Sequence, residues 1–392
     1  MARKAAPAPH SFDVHRAVGG TETWRRLAVA FYARVERDPV LRPLFPGKTL
    51  HCAIEEFAAF LVQFFGGPAA DSQRRWWLSL RESHLRFRIG QKERAAWMKN
   101  MAEALDDADV EPAVRGALRE FFEQSSAYVV TSGPPPSGSS DPADPPDDAV
   151  RREIACRWDA QRALDEAAAA VRDGDAERAI SLAESAALRA KFARGRSTLT
   201  GLLAMMIGSR NPPMLRYVRE VVTADPALAR ERYGGRTLLH EASGRCEPGM
   251  AGLLLRLGAD PDAKDGGGHT PLYSLANECK MAESAAVVRA LVEGGANVNA
   301  CDGVKRTTAL HMAARRNNVE IAEALLDFGA EIEARDSQGE TPLRRAVNCN
   351  QIEVAAVLLR RGADVHSRGS KGLTPFEAAR SAVMKQLLGR SR

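Results

Sequence analysis

From residue 237 onward the chain repeats itself. Thr237-Leu-Leu-His240, Thr270-Pro-Leu-Tyr273, Thr308-Ala-Leu-His311, Thr341-Pro-Leu-Arg344 and Thr374-Pro-Phe-Glu377 are spaced 33, 38, 33 and 33 residues apart. A second series runs in register with the first: Gly258-Ala-Asp, Gly295-Ala-Asn, Gly329-Ala-Glu and Gly362-Ala-Asp. A unit of this length is one supersecondary element, which buries its apolar face only against its neighbours, so this part must be a solenoid. The local chemistry agrees. Threonine ahead of a helix caps orphan N–H groups, and proline suits the first helical turn. The Leu and Ala that follow are the buried face of a first helix, and Leu254-Leu255, Leu325-Leu326 and Leu358-Leu359 face the core from a second. Glycine then takes the left-handed cap that ends it.

This pattern resembles the ankyrin repeat, whose motif is G-x-T-P-L-H-x-A followed by a Leu-Leu helix and G-A-D/N. The resemblance makes Thr237, Thr270, Thr308, Thr341 and Thr374, with His240 and His311, structural motif residues. It also implies a surface that holds a protein partner, which the sequence does not identify. The single 38-residue spacing places four extra residues around Ala276–Ala286 and one in the turn after them, so one helix-to-helix loop is longer. Upstream, 165–182 and 199–222 read as degenerate helix pairs.

A division of the chain is legible too. Residues 131–148 carry six of the 21 prolines with Ser, Gly and Asp and no large apolar side chain, the composition of an extended, solvated linker. The expected domains are therefore 1–130, a linker at 131–150, and a repeat domain at 151–392, with a degenerate cap at 151–230 and clear repeats from 233. The net charge of +5 spreads as +3, −4 and +6 over these three segments. Basic and acidic residues alternate as on solvated helices, so nucleic acid is not an expected partner. No apolar run approaches membrane-spanning length, and the first twenty residues hold no secretory h-region. The expected location is cytoplasmic. The six cysteines (52, 156, 246, 279, 301, 349) form no CxxC pair and read as free thiols.

The first segment is built differently. Of 23 aromatic residues, 16 precede residue 130. Leu27, Val29, Phe31, Tyr32 and Val35, and then Ile54, Phe57, Ala58, Phe60, Leu61 and Phe64, recur at helical spacing, broken by Gly19-Gly20, Asp38-Pro39, 43–47, Gly66-Gly67-Pro68 and Gly90. Composition alone leaves two readings, a small helical bundle or a pocket for a flat aromatic cofactor.

Ala17-Val-Gly-Gly20, Phe31-Tyr-Ala-Arg-Val35, Gln63-Phe-Phe-Gly-Gly-Pro68, His84-Leu-Arg-Phe-Arg-Ile-Gly90 and Ala96-Trp-Met-Lys-Asn-Met101 occur in that order. Together they resemble the truncated haemoglobins, of the group called II or O, over about residues 11–130. The fold expected is all-α: a truncated globin (helical sandwich) followed by an ankyrin solenoid. The resemblance implies haem b with His84 as the proximal iron ligand, one axial imidazole leaving the opposite side open. It makes Tyr32 and Trp97 the distal donors whose O–H and N–H stabilise negative charge on a diatomic ligand. It puts Phe45 flat against the macrocycle, Phe87 on the proximal side, Ala53 at a small gate and Phe57 in the distal ceiling. Arg81, Arg86 and Arg88 are candidates for the haem propionates on reach alone.

The expected function is binding of dioxygen, nitric oxide or carbon monoxide, joined to protein–protein interaction. The alternatives are a haem-free ankyrin scaffold with a degenerate globin, and a nitric-oxide dioxygenase or peroxidase. The last needs an electron donor, and the chain carries no GxGxxG-type motif.

Overall fold

The computed structural model of the protein describes residues 12–45, 47–68, 71, 79–85, 87–108, 110–130, 148–370 and 372–390. It divides between Leu199 and Thr200 into two compact units. Among the described residues both are helical, apart from a two-residue antiparallel ladder between Arg232–Tyr233 and Arg236–Thr237 and an isolated antiparallel bridge between Cys301 and Thr308.

The first unit opens with α1 (Val14–Val18), α2 (Thr21–Val35) and α3 (His51–Phe65). After a short helix α4 (Leu80–His84) come α5 (Gln91–Asp107) and α6 (Pro112–Tyr128). Helix α2 packs on both α3 and α5, and α5 packs on α6, giving two helix pairs face to face. Their shared core is aromatic. Trp24 stacks on Phe65 at 4.7 Å between centroids, and Phe64 lies 4.6 Å from Phe121. These four rings are fully buried, so each removes about 150–250 Å² of surface from water. The Trp24 indole N–H is satisfied by His15 Nδ1 at 3.1 Å. Helix α3 ends at Gly66, whose φ of 87° is the left-handed region that glycine tolerates.

The boundary of this unit differs from the one expected. Residues 131–147 of the anticipated linker lie outside the described residues. Asp148 begins a 26-residue helix, α7 (Asp148–Asp173), followed by α8 (Ala176–Ala183) and α9 (Ala186–Arg194). The sequence reading gave 151–230 to the repeat domain as a degenerate cap; the structure instead packs 148–199 within the first unit. The reason is the apolar stripe of α7. Val150, Ile154 and Trp158 enter the same core cluster as the rings of α3 and α6. The Trp158 ring sits 5.8 Å from Phe121 and 5.4 Å from Tyr128. Arg157 donates to the Phe64 carbonyl at 2.9 Å. The rest of α7 carries α8 and α9 on Leu164, Ala167, Ala168 and Val171, all buried.

The second unit stacks helix pairs. Helices Arg196–Ser209, which crosses the boundary, and Pro212–Ala224 come first, the second capped by the Asn211 side chain. Then follow Leu238–Gly244 with Pro248–Arg256, Pro271–Glu278 with Ser284–Glu293, Ala309–Arg316 with Val319–Asp327, and Pro342–Asn348 with Ile352–Arg360. A short pair, Pro375–Ala378 and Ala382–Arg390, ends it. The hydroxyls of Thr270, Thr308, Thr341 and Thr374 accept from the amides three residues on, at 3.3–3.4 Å.

The motif histidines join one repeat to the next. His240 Nδ1 accepts from the Thr237 amide at 3.2 Å, so the ring proton is on Nε2, which donates to the His269 carbonyl at 3.1 Å. His311 repeats this arrangement towards Glu340 at 3.0 Å. In the following repeat Arg344 reaches the Thr374 carbonyl at 2.8 Å in the same place. The long spacing appears as the five-residue connection 279–283 between Pro271–Glu278 and Ser284–Glu293.

One expectation about the cysteines is corrected here. Cys246 and Cys279 form a disulfide, with 5.7 Å between their Cα atoms, and the other four are free. Their separation of 33 residues is one repeat, so stacking sets them side by side although no local cysteine motif announces it. Among the described residues no helix is long and apolar enough to cross a membrane.

Candidate functional site

The first unit encloses a cavity of about 1030 Å³, at the upper end of the range for small-molecule and cofactor sites. Its walls come from α2, α3, α5, α6 and the segments around Phe45 and His84. Of the residues singled out from sequence, His84, Tyr32, Trp97, Phe45, Ala53, Phe57, Phe87 and Arg88 all line it.

The rings form a connected wall. His84 lies 6.4 Å from Phe87, Phe87 5.8 Å from Phe45, Phe45 5.6 Å from Tyr32 and Tyr32 6.2 Å from Phe57. Trp97 joins through Phe31 at 5.2 Å and Phe122 at 5.7 Å. Most of these contacts are edge-on or tilted, the geometry that ring quadrupoles favour. Helical spacing explains the gathering. Phe31 and Tyr32 on α2, Ala53 and Phe57 on α3, and Trp97 on α5 occupy the faces that those helices turn inward.

His84 is the last residue of α4 and is half-buried. Its Nδ1 lies 2.7 Å from the Leu80 carbonyl and 3.0 Å from Ser83 Oγ. A carbonyl only accepts, so Nδ1 carries the proton and donates to it, which leaves the ring lone pair on Nε2. That is the tautomer a metal-ligating imidazole needs. Ser83 Oγ also donates to the Leu80 carbonyl, at 2.7 Å.

The three arginine candidates separate. Arg88 is exposed at the cavity rim. Arg81 does not line the cavity; its guanidinium stands over the Tyr128 ring, 5.9 Å from the centroid. Arg86 lies outside the described residues. Two basic side chains that sequence reasoning did not name also line the cavity: Lys48, exposed, and Arg94, which pairs with Glu123 and donates to Ser126 Oγ at 3.2 Å. Neither carries a motif signal, because each sits in an otherwise polar stretch. His51 opens α3 as an exposed residue and is not part of the lining.

Behind α4, outside the cavity, lies a buried polar group from α7. Asp165 is 4% exposed, and burial pushes its carboxyl up, opposed by donors from Gln161, the Arg81 and Leu80 amides and Tyr128. Burial, and then the Asp165 charge, push the Tyr128 phenol well above its usual range. The readable signal was a Gln161/Asp165 pair in helical register with Trp158 on the apolar stripe of α7.

The donor set suits a flat, mostly apolar ring system with a metal at its centre and acidic substituents at its edge. Aromatic walls, one imidazole with an Nε2 lone pair and exposed cations at the rim meet those three requirements. Comparison with known proteins points the same way. Residues 13–130 match the family model of bacterial-like globins. Residues 234–266 match a single ankyrin repeat, and 275–368 a model of three copies. The chain is 31% identical over 120 residues to the group 2 truncated hemoglobin YjbI of Bacillus subtilis, covering 90% of that protein and 31% of this chain. It is 28% identical over 114 residues to two-on-two hemoglobin-3 of Arabidopsis thaliana, covering 65% of it and 28% of this chain. The repeats are 38% identical over 112 residues to the human ankyrin repeat and SOCS box protein 16, 29% of this chain but only 24% of that protein.

Proposed function

Since the chain belongs to the bacterial-like, group 2 truncated globins through residues 13–130 and carries ankyrin repeats within 234–368, we propose that it is a haem-dependent gas-binding protein tethered to a partner. In this reading the first unit holds haem b through His84 and takes up dioxygen, nitric oxide or carbon monoxide, and the repeats hold a second protein, in the cytoplasm. The observation that carries it is an imidazole with Nδ1 tied to the Leu80 carbonyl, set in a cavity walled by aromatic rings.

Bound haem, held through His84, would supply an iron able to take up a diatomic ligand. The remaining work falls to side chains of this chain. The Leu80 carbonyl keeps the His84 proton on Nδ1 and raises the basicity of Nε2. Phe31, Phe45, Phe57 and Phe122 line the cavity, and with haem in place these rings would keep water from a bound ligand and strengthen its polar contacts. Tyr32 and Trp97, also in the lining, would offer an O–H and an N–H as donors to that ligand. Ala53 keeps a stretch of α3 narrow, which favours access for a small gas. Lys48 and Arg88, at the rim, would pair with the haem carboxylates.

The test is the absorption spectrum of the purified full-length chain. A Soret band that shifts under carbon monoxide after reduction is expected, and His84→Ala should abolish both. A haem-free wild-type chain that takes up no added haem refutes the reading. A His84→Ala variant with an unchanged band and shift refutes the assignment to His84.

A further inference from the structure

Helix α4 is five residues long, too short to hold itself together, and its first amides have no partner within the helix. The partners come from α7, some 85 residues along the chain. Asp165 Oδ1 accepts from the Leu80 amide and Oδ2 from the Arg81 amide, both at 3.1 Å. The carboxylate is itself fixed. Gln161 Nε2 donates to Oδ1 at 2.8 Å, and Tyr128 supplies a further side-chain hydrogen bond. The other end of the Leu80 residue holds the imidazole, since its carbonyl accepts from His84 Nδ1 at 2.7 Å. One residue therefore connects the two groups. Its N–H is gripped by Asp165 and its C=O orients His84, so a tilt of that short helix turns the ring with it.

We propose that Asp165 is a positioning residue for His84, and that α7, beyond the globin segment 13–130, is a working part of the site. The role given to His84 rests on the haem reading; the grip on α4 is a property of the chain without haem. Charge-assisted hydrogen bonds to backbone amides are about twice as strong as neutral ones, and here both are shielded from water. The apolar contact of Trp158 with Phe121 and Tyr128 holds α7 against the unit at its third turn, so Asp165 is delivered two turns further on.

The test uses the full chain in two states. In the haem-free chain, Asp165→Ala should speed hydrogen exchange at the Leu80 and Arg81 amides on the order of tenfold or more. It should also shift the 15Nδ1 resonance of His84. In the haem-loaded ferrous chain, the iron–histidine stretching band should move and broaden. Asp165→Asn keeps one acceptor oxygen and should restore part of each change. Arg162→Ala, which alters an exposed pair with Asp159 on the same helix, should change none of them. Wild-type exchange and wild-type His84 signals in Asp165→Ala overturn the proposal. If that variant does not fold, Asp165→Asn decides, and wild-type values in all three readouts overturn it. A wild-type chain that binds no haem refutes the haem reading alone, and the amide exchange and the 15N shift then decide the clamp.

Discussion

Acid should loosen the repeats through His240. This ring is completely buried, and burial lowers its pKa from an ordinary 6.5 to about 4; the His269 carbonyl opposes that shift only in part. In the unfolded chain the same ring titrates near 6.5. Between those values the unfolded state binds more protons than the folded one, so stability rises with pH and is lost as pH falls through this window. Going from pH 7 to pH 5, the two titrations differ by about 2 kcal/mol, and the loss approaches roughly 3 kcal/mol below pH 4. His311, also buried and also lowered, adds a loss of the same sign. The hydrogen-bond pattern acts in the same direction as burial. Nδ1 must accept from the Thr237 amide, and a protonated ring cannot accept. The assay is urea unfolding of the full chain at pH 7 and pH 5, wild type against His240→Gln. All five tryptophans precede residue 159, so indole fluorescence follows the first unit, and helical circular dichroism follows both. The wild type should lose about 2 kcal/mol more than the variant over that interval, in the transition seen by dichroism and not by fluorescence. Equal losses would refute the argument, as would an NMR titration that places the His240 ring at or above 6.5.

Other expectations follow from packing and covalent structure. Trp158→Ala should destabilise the first unit by about 3–5 kcal/mol, because it empties space between Phe64, Phe121 and Tyr128; an unchanged fluorescence-detected midpoint would show that α7 is not part of that core. Gly66→Ala should cost about 1–3 kcal/mol, since φ is 87° and the added Cβ would stand 2.8 Å from the Arg157 guanidinium; a thermal midpoint equal to wild type would contradict it. The unreduced, denatured chain should titrate four thiols, Cys52, Cys156, Cys301 and Cys349, and six would exclude the Cys246–Cys279 bond. Reduction should lower the stability of the repeats by roughly 3–4 kcal/mol for a closed loop of 33 residues, read from the urea midpoint seen by dichroism.

Much of the molecule is local, and the local part was legible. The threonine caps, the prolines of the first turn and the Gly-Ala pairs specify each repeat within a few residues of themselves, so their period carries the solenoid. The inward faces of α2 and α3 were readable from the spacing of Phe31, Tyr32, Phe57 and Phe60, and these residues do meet around one cavity. The fate of Arg81 was not readable. Its reach allowed a place at the cavity, but the Tyr128 ring offers a cation–π contact on the other side of α4.

The sequence by itself determined which segments are helical, which face of each is apolar, how the repeats are phased and which aromatic residues belong together. Those are properties of neighbours three or four residues apart. Tertiary structure alone decided what covers each face. It gave α7 to the globin unit, because Trp158 fits among phenylalanines about 40 and 90 residues away in sequence. It set Asp165 beneath the amides of α4 and paired two cysteines one repeat apart. An apolar stripe on a helix buries equally well against any complementary surface, so periodicity leaves the choice open until the whole chain is folded.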